Sequence, residues 1–326
     1  MVEFQRKKNP KIIEDIEELM ERETAGDPVS GLKWTRKTTR KIANELKKFG
    51  HDICSNTVGR LLKKLNFSLK VNHKKNETNP NLDPKERDEQ FKQIFELRDE
   101  FEKKGFPVIS IDAKKKELIG NFKNNGQAYA REPEFVNVYD FLTNAIGKGV
   151  PYGIYDTIAN KGFVCVGTNY DTPLFAVDSV ETWWNDIGKN EYPDASDILI
   201  LADGGGSNSS RSRVWKHELQ KNVSSKHGIK VTVCHYPPGC SKWNPIEHRL
   251  FSAISKNWSG VPLRTYQTML NYIKTTTTTK GLTVNAKIVL KKYEKGVKIS
   301  DDKMKSLPIL YNNKFPKWNY TLLPSK

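Results

Sequence analysis

The order of the apolar segments after residue 106 constrains the fold of this chain more than any other feature. Five apolar runs have the length and composition of buried strands: 108–112, 116–122, 162–169, 197–203 and 230–236. Three stretches have helical patterns: 173–188, 211–222 and a segment that opens at Asn244 and Pro245. The predicted order of elements is therefore βββαβαβα.

This order is that of the ribonuclease H-like fold. In that fold the first strand pairs with antiparallel neighbours, and the later strands join the sheet through helical crossovers. We therefore expect an α/β core, with a mixed sheet flanked by helices.

Three carboxylates fall at informative points of the predicted core. Asp112 ends the first strand, Asp203 ends the fourth, and Glu247 lies in the first turn of the last helix, where Pro245 suits the first helical position and Asn244 the cap. In this fold the three positions meet at one end of the sheet. Three convergent carboxylates can hold two Mg²⁺ ions for phosphoryl transfer on nucleic acid, and Mn²⁺ can substitute. The sequence thus predicts Asp112, Asp203 and Glu247 as catalytic residues and metal ligands.

Each acid also has a plainer interpretation. Asp203 precedes a glycine run, 204–206, and suits a turn, while the helix dipole alone favours Glu247 in a first turn. The glycines lack the Gly-Lys-Ser/Thr sequence of a phosphate loop, so they do not indicate nucleotide hydrolysis. The histidines and the tryptophan pair of this region are interpreted as packing or strand-contact residues: Trp183, Trp184, His235 and His248.

The N-terminal region has the pattern of a small all-α domain. An amphipathic helix is predicted from Lys11 to Glu23, and two more helices, the first spanning Thr38–Phe49 and the second beginning at Ser55, flank a short turn with Gly50 as the cap. This spacing is that of a helix-turn-helix or of an ordinary helical hairpin. For the former, the predicted DNA contacts are Asn56, Thr57, Arg60, Lys63 and Lys64.

The charge balance indicates a polyanionic partner. Lys and Arg total 54 against 38 Asp and Glu, a formal charge of +16, which favours double-stranded DNA through counterion release. Further phosphate contacts are predicted near the acids at Lys114, Lys115, Lys116, Lys242 and Arg249. For the three consecutive lysines, 114–116, a solvated run of charge is the alternative interpretation. No apolar run approaches the roughly 20 residues of a membrane span, and no signal-peptide core is present. We expect a cytoplasmic, nucleoid-associated protein without a membrane partner.

Composition divides the chain into four parts. Residues 1–68 are the predicted helix-turn-helix region, 69–84 a polar linker, 85–260 the catalytic domain and 261–326 a C-terminal extension packing on it. The extension contains a threonine run, Thr275–Thr279, which has no assigned role, and a predicted pair of strands around LTVNAKIVL. The four cysteines have neither metal-ligand nor disulfide spacing.

Several motifs together resemble one family in their order along the chain. They are SIDAKKKELIGNFKN, VPYGIYD, LADGGGSNSSRSRVWKHELQ, CHYPPGCSKWNPIEHRLFSAISKNW and KWNYT. From about Asp27 to the C-terminus the sequence resembles the ISAzo-type family of bacterial insertion-sequence transposases. The resemblance implies a DDE transposase, in which water frees a 3′ hydroxyl at the element's end and that hydroxyl attacks target DNA. It places the family's acids on Asp112, Asp203 and Glu247, and it implies a homo-oligomer that holds two DNA ends.

One departure from the family keeps an alternative open. Members of the family begin with a further helix-turn-helix before an LKWT-like segment, whereas this sequence starts at MVEFQRKKNPK. A truncated or decayed copy that acts only as a DNA-binding protein or regulator is therefore the second hypothesis. A nonspecific DNA-coating protein is the third, and it explains the charge alone.

Overall fold

A computed structural model describes residues 11–22, 25–26, 33–34, 38–67 and 83–325. The chain divides into two compact units, Met1–Lys75 and Asn76–Lys326. The predicted linker, 69–84, lies outside the described residues except for its last two positions.

The first unit is built mainly from helices. Helix α1 spans Ile12–Arg22, a short antiparallel pair joins β1 (Ala25–Gly26) to β2 (Lys33–Trp34), and helices α2 (Thr39–Lys48) and α3 (Ser55–Lys64) follow. Ile16, Leu46, Val58 and Leu61 are fully buried together, because each helix presents one apolar face. Gly50 has the positive φ of the predicted helix cap, and the amide of the next residue, His51, donates to the Leu46 carbonyl.

The second unit contains one large mixed sheet. Its strands are β3 (Val108–Ala113), β4 (Glu117–Ile119), β5 (Gly147–Asp156), β6 (Lys161–Gly167), β7 (Asp197–Ala202), β8 (Lys230–His235), β9 (Thr283–Val289), β10 (Ile309–Tyr311) and β11 (Asn319–Leu322). Within the described residues the strand order is β10-β11-β8-β7-β3-β5-β6-β9, and β4 pairs with β5 beside this path. The central strands β8, β7 and β3 are parallel, and β5 runs antiparallel to β3 and β6. This is the mixed α/β core predicted from the order of elements.

Helices cover both faces of the sheet, because alternate residues of each strand point to opposite sides. On one face lie α5 (Pro173–Trp183), which a π-helical turn extends to Gly188, and α6 (Arg213–Leu219), which continues as a π-helical turn to Ser225. Trp183, Trp184 and Trp215 fill this side of the core, as predicted for the tryptophan pair.

The other face is covered by three helical segments. They are α4 (Pro84–Lys103), a helix that starts at Pro245, passes through a π-helical turn at Glu247–Phe251 and ends as α7 (Ser252–Asn257), and α8 (Tyr266–Lys274). Leu250, Phe251 and Ile254 pack there against Val164 and Val166 of β6. No described helix is long and apolar enough to cross a membrane.

Strand β5 was missed by the sequence analysis. The predicted second strand, 116–122, is only the short β4, and β5 lies next to β3 instead. Glycine or proline at 147, 149, 151 and 153 removes the sequence pattern of a strand, since these residues are rare in strand interiors. Gly153 is needed because a Cβ there would lie 2.6 Å from Phe251 Cε1 and 2.9 Å from Ile246 Cδ1.

The last part of the chain completes both edges of the sheet. Strand β9 pairs in parallel with β6, while β11 pairs with β8 and holds β10 outside it. The predicted strand pair around LTVNAKIVL is thus the single strand β9. A short helix, α9 (Asp301–Lys305), lies between β9 and β10 in the sequence. Residues 261–326 are integral to the sheet of the second unit.

Candidate active site

The structure brings Asp112, Asp203 and Glu247 together. Asp112 is the penultimate residue of β3, and Asp203 directly follows β7, which runs parallel to β3 as its neighbour. Parallel neighbours end at the same edge of a sheet, so the two carboxylates meet there. Glu247 reaches them from the helix that begins at Pro245, and it lies close enough to share a hydrogen bond with Asp112 when one of the two carries a proton.

Burial and neighbouring carboxylates raise the pKa of two of the acids, Asp112 and Asp203. Burial, with the neighbouring charge of Asp203 and then that of Glu247, raises the pKa of Asp112 to about 8, although the Ala113 amide donates to Asp112 Oδ1 at 2.7 Å and opposes the rise. Burial also raises the pKa of Asp203; the Gly205 amide lowers it, and Glu247 and Asp171 raise it further. Among the described residues no Lys or Arg forms an ion pair with any of the three acids. The cluster therefore holds uncompensated negative charge.

A buried hydrogen-bonded tie fixes the helix that carries Glu247. The Ser110 hydroxyl of β3 donates to Asn244 Oδ1 and accepts from the Ile246 amide at 3.1 Å, while the Asn244 side-chain amide donates to the Ile111 carbonyl at 3.1 Å. Ser110 and Asn244 are fully buried. Pro245 is the first helical residue, as predicted, but the Asn244 side chain holds β3 and a Ser110 hydroxyl caps the helix instead. The strand of Asp112 and the helix of Glu247 are thus tied two residues from the first acid.

Two residues near the acids were missed by the sequence analysis. Tyr152 of β5 is fully buried, and burial together with Asp112, Asp171 and Asp203 raises its pKa. The Tyr152 hydroxyl and Asp171 Oδ1 are buried and have no hydrogen-bond partner among the described residues, and the same is true of Ser207 Oγ and Asn208 Nδ2 in the loop after Asp203. Polar atoms of this kind are rare in folded proteins and mark a place where a ligand or water belongs. A tyrosine in an apolar strand and an aspartate in a loop carried no signal in the sequence.

The predicted phosphate contacts near the acids differ in their exposure. The side chain of Lys114 is mostly buried. Its ammonium pairs with Glu117 Oε1 at 3.2 Å and lies 4.7 Å from the centre of the Trp258 ring. Lys115, Lys116, Lys242 and Arg249 are exposed. Lys114 is therefore occupied within the protein, whereas the other four can reach a ligand.

The predicted contacts of the first unit also differ. Asn56, Arg60, Lys63 and Lys64 are exposed on α3. Thr57 is buried, with its hydroxyl 3.3 Å from the Cys54 sulfur. Thr57 is thus not on the exposed face with the other four.

The two histidines of this region serve the structure. His235 is fully buried, with both ring nitrogens 2.9 Å from backbone carbonyls, those of Trp318 and Asn208. His248 is exposed and contacts the Lys242 carbonyl. In the part of the chain that the structure describes, no three His, Cys, Asp or Glu side chains already form a metal-holding cluster. A cation at the acid site would have to draw Asp112, Asp203 and Glu247 closer together.

Comparison with known proteins identifies a family and remote structural likenesses. A family model described as the Rhodopirellula transposase DDE domain matches residues 15–324. A search of curated proteins finds no match. A Mos1 transposase paired-end complex with the left transposon end is 11% identical, with a TM-score of 0.42, over 80% of this chain and 69% of that one. A Mos1 mariner paired-end complex with Mn is 13% identical, with a TM-score of 0.40, over 83% of this chain and 76% of that one.

Proposed function

This chain belongs to the Rhodopirellula transposase DDE-domain family, and we propose that its acid cluster cuts DNA at the ends of its own element and joins the freed 3′ hydroxyl to target DNA. It is a transposase, and the observation that carries the chemical proposal is that Asp112, Asp203 and Glu247 meet at one edge of the sheet, where no Lys or Arg of the described residues forms an ion pair with them. In the first step water attacks a phosphodiester at the element's end, and the P–O bond to the 3′ oxygen breaks, which leaves a 3′ hydroxyl and a 5′ phosphate. In the next step this hydroxyl attacks a phosphodiester of the target, and the target's own 3′ oxygen leaves as a hydroxyl.

The donor set of this cluster suits Mg²⁺, with Mn²⁺ as a substitute. Carboxylate oxygens are the ligands that hard cations prefer, and Asp171, whose charge acts on Asp203, has a buried carboxylate oxygen without a hydrogen-bond partner among the described residues. Asp112, Asp203 and Glu247 would hold the ions. When bound, two ions activate the attacking oxygen and stabilise the leaving oxygen of an in-line displacement.

The chain's own residues have separate parts in this proposal. The Ser110–Asn244 tie holds Glu247 at a fixed height relative to Asp112. Exposed cations contact DNA phosphates: Lys115, Lys116 and Lys242 near the acids, and Arg249 from another side of the Glu247 helix. Asn56, Arg60, Lys63 and Lys64 of α3 contact DNA from the first unit, as a helix-turn-helix would.

The proposed partners follow from the reaction. Two element ends must be joined to one target, so we expect the chain to work as a homo-oligomer on double-stranded DNA. The natural substrate would be DNA of the bacterial nucleoid.

Asp203→Asn tests the proposed chemistry. We expect this variant to lose metal-dependent cleavage of end DNA by at least about 100-fold, because a ligand carboxylate is removed, while its affinity for DNA stays within about twofold. Cleavage is measured on labelled duplex and binding by fluorescence anisotropy. Cleavage near the parent level in the purified variant would contradict the proposal.

Asp197→Asn is the matched control. Asp197 is half-buried at the start of the same strand, β7, and accepts a hydrogen bond from the Thr232 hydroxyl at 3.2 Å. It lies at the opposite end of β7 from Asp203, so the same chemical change there should leave cleavage intact.

A further inference from the structure

We infer that a groove on the far side of the Glu247 helix binds the phosphodiester backbone of DNA, an inference that rests on the proposed function and adds a binding surface to it. Two open hollows of about 450 and 680 Å³ adjoin there and share Asn160, His248, Arg249 and Lys280. The groove lies between α4, which contributes Arg98, and the helix that carries Glu247. We call this surface the basic groove.

The charge of the basic groove is of one sign. Arg98, Arg249, Lys256 and Lys280 line it, and no carboxylate does among the described residues. None of these four cations forms an ion pair within the described part of the chain. Arg249, Lys256 and Lys280 are exposed. Unpaired cations in a concave surface attract a polyanion and release its counterions on binding.

One face of the Glu247 helix lies at the acid cluster, and another face lines the basic groove. Arg249, Ser252 and Lys256 follow one another at three- and four-residue spacing, so they share one helical face. Glu247 contacts Asp112 from another side of the same helix and does not line the groove. The acids and the basic groove are therefore separated by about the width of one helix, roughly 10 Å.

The threonine run supplies the opposite wall. Thr277, Thr278 and Thr279 line the groove next to Lys280. The side chains of Thr277 and Thr279 are exposed and have no hydrogen-bond partner within the described residues. Hydroxyl groups and cations together are the usual contacts of proteins with phosphate oxygens.

This wall is held in place at both ends. Asn160 Nδ2 donates to the Lys280 carbonyl at 2.9 Å, and Asn160 Oδ1 accepts from the Tyr155 hydroxyl at 2.9 Å. Asn257 Nδ2 donates to the Tyr272 carbonyl at 2.6 Å and to the Thr275 hydroxyl at 3.1 Å. The groove is thus formed before any ligand arrives, and binding does not have to order the loop.

The test neutralises three cations of the groove: Arg249→Gln, Lys256→Gln and Lys280→Gln in one chain. Binding is measured by fluorescence anisotropy at several salt concentrations, in an Asp203→Asn background so that no cleavage occurs. The probes are a labelled duplex from the flank of the chain's own gene and a scrambled duplex of equal length. We expect the slope of log affinity against log salt to become shallower by about two to three for both duplexes, since each lost phosphate contact removes about 0.9.

The control neutralises three lysines on the other face of the sheet: Lys221→Gln, Lys298→Gln and Lys305→Gln. These lysines are exposed and lie on or beside α6, whose Arg213 contacts the segment at Ile299 and Asp301. The control variant has the same net charge as the test variant. Because its three lysines lie away from the basic groove, the slope of log affinity against log salt should stay within about one of the parental slope. Matching thermal melts of both variants would show that each is folded.

Three outcomes would overturn the proposal that the basic groove binds DNA. They are a test variant that binds like the control, a loss confined to the flank duplex with an unchanged salt slope, and a parent that binds neither duplex. Failure of the groove leaves the Asp203→Asn cleavage result untouched. Conversely, a shallower slope in a chain that does not cleave DNA would keep the groove and reject the proposed chemistry.

Discussion

Asp112 dominates the electrostatics of the site at the scale of single residues. Burial, together with the charges of Asp203 and Glu247, raises its pKa to about 8. A carboxyl group in this position has two ways to be neutralised, a proton or a cation. Proton binding and metal binding at Asp112 should therefore compete.

This competition predicts how stability depends on pH. The folded chain holds a proton on Asp112 up to about pH 8, whereas the unfolded chain releases it near the ordinary value of 3.8. The stabilising contribution is therefore fully present below about pH 4 and is lost as the pH rises through about 8. Without metal, we expect the free energy of unfolding to fall by about 1–3 kcal/mol more between pH 5 and 8 in the parent than in Asp112→Asn.

Mg²⁺ gives the complementary measurement. Added Mg²⁺ should raise the melting temperature of the parent more at pH 8 than at pH 6, because fewer protons then compete for Asp112, and Asp112→Asn should lose this gain. Urea unfolding and thermal melts at each pH measure both effects. Equal pH profiles for parent and variant, with equal responses to Mg²⁺, would contradict the assignment.

The positions of the acids were predictable from sequence because each lies at or next to the end of an element that the sequence marks. Asp203 comes directly after an apolar run, and Glu247 after the helix-start pair Asn244 and Pro245. Tyr152 and Asp171 were not predictable. Their approach to the acids depends on the pairing of β5 with β3, which joins residues far apart in the chain.

The tie between β3 and the Glu247 helix matters most at the scale of elements. Ser110 makes two hydrogen bonds across it, one to Asn244 and one from Ile246. Removal of its hydroxyl leaves a buried amide oxygen and a helix N–H without partners, which costs about 1–3 kcal/mol.

Ser110→Ala should therefore lower both stability and turnover. We expect a loss of about 1–3 kcal/mol in the free energy of unfolding and a fall of at least about tenfold in kcat, because Glu247 is no longer held relative to Asp112. Ser179→Ala is the matched control, since Ser179 is equally buried but donates to the Phe175 carbonyl of its own helix at 2.7 Å and has no hydrogen bond to the Glu247 helix within the described residues. If the two variants cleave DNA equally well, the positioning role of Ser110 is wrong.

Prediction of the elements succeeded where periodicity was strong. The strands at β3, β6, β7 and β8 and the helices between them follow the apolar pattern. Strand β5 was missed because glycine has a low strand propensity, and here Gly153 is required for packing against Phe251 and Ile246. That requirement comes from the tertiary structure and leaves no local pattern.

The sheet of the whole second unit depends on residues that are distant in sequence. Strands β9 and β10 form its two edges in the described residues. Asn319 of β11, the strand next to β10, bonds in the interior with Gln90 of α4, whose amide also donates to the His235 carbonyl of β8 at 2.9 Å. Composition alone placed residues 261–326 in an extension, because edge pairing depends on contacts that a single sequence does not reveal. An intact C-terminus should thus be necessary for a stable catalytic unit.

The central claim concerns the whole molecule, namely that this transposase joins its element's ends to target DNA with metal held by the acid cluster. The most direct measurement is a strand-transfer assay with the purified chain, labelled DNA from the flanks of its own gene and a supercoiled target, with and without Mg²⁺ or Mn²⁺. It is run beside Glu247→Gln, which preserves the shape of the side chain and removes its charge. The account predicts metal-dependent joined products that disappear in the variant. Joining that persists in Glu247→Gln, or a parent that binds the DNA without cutting it, would contradict the account.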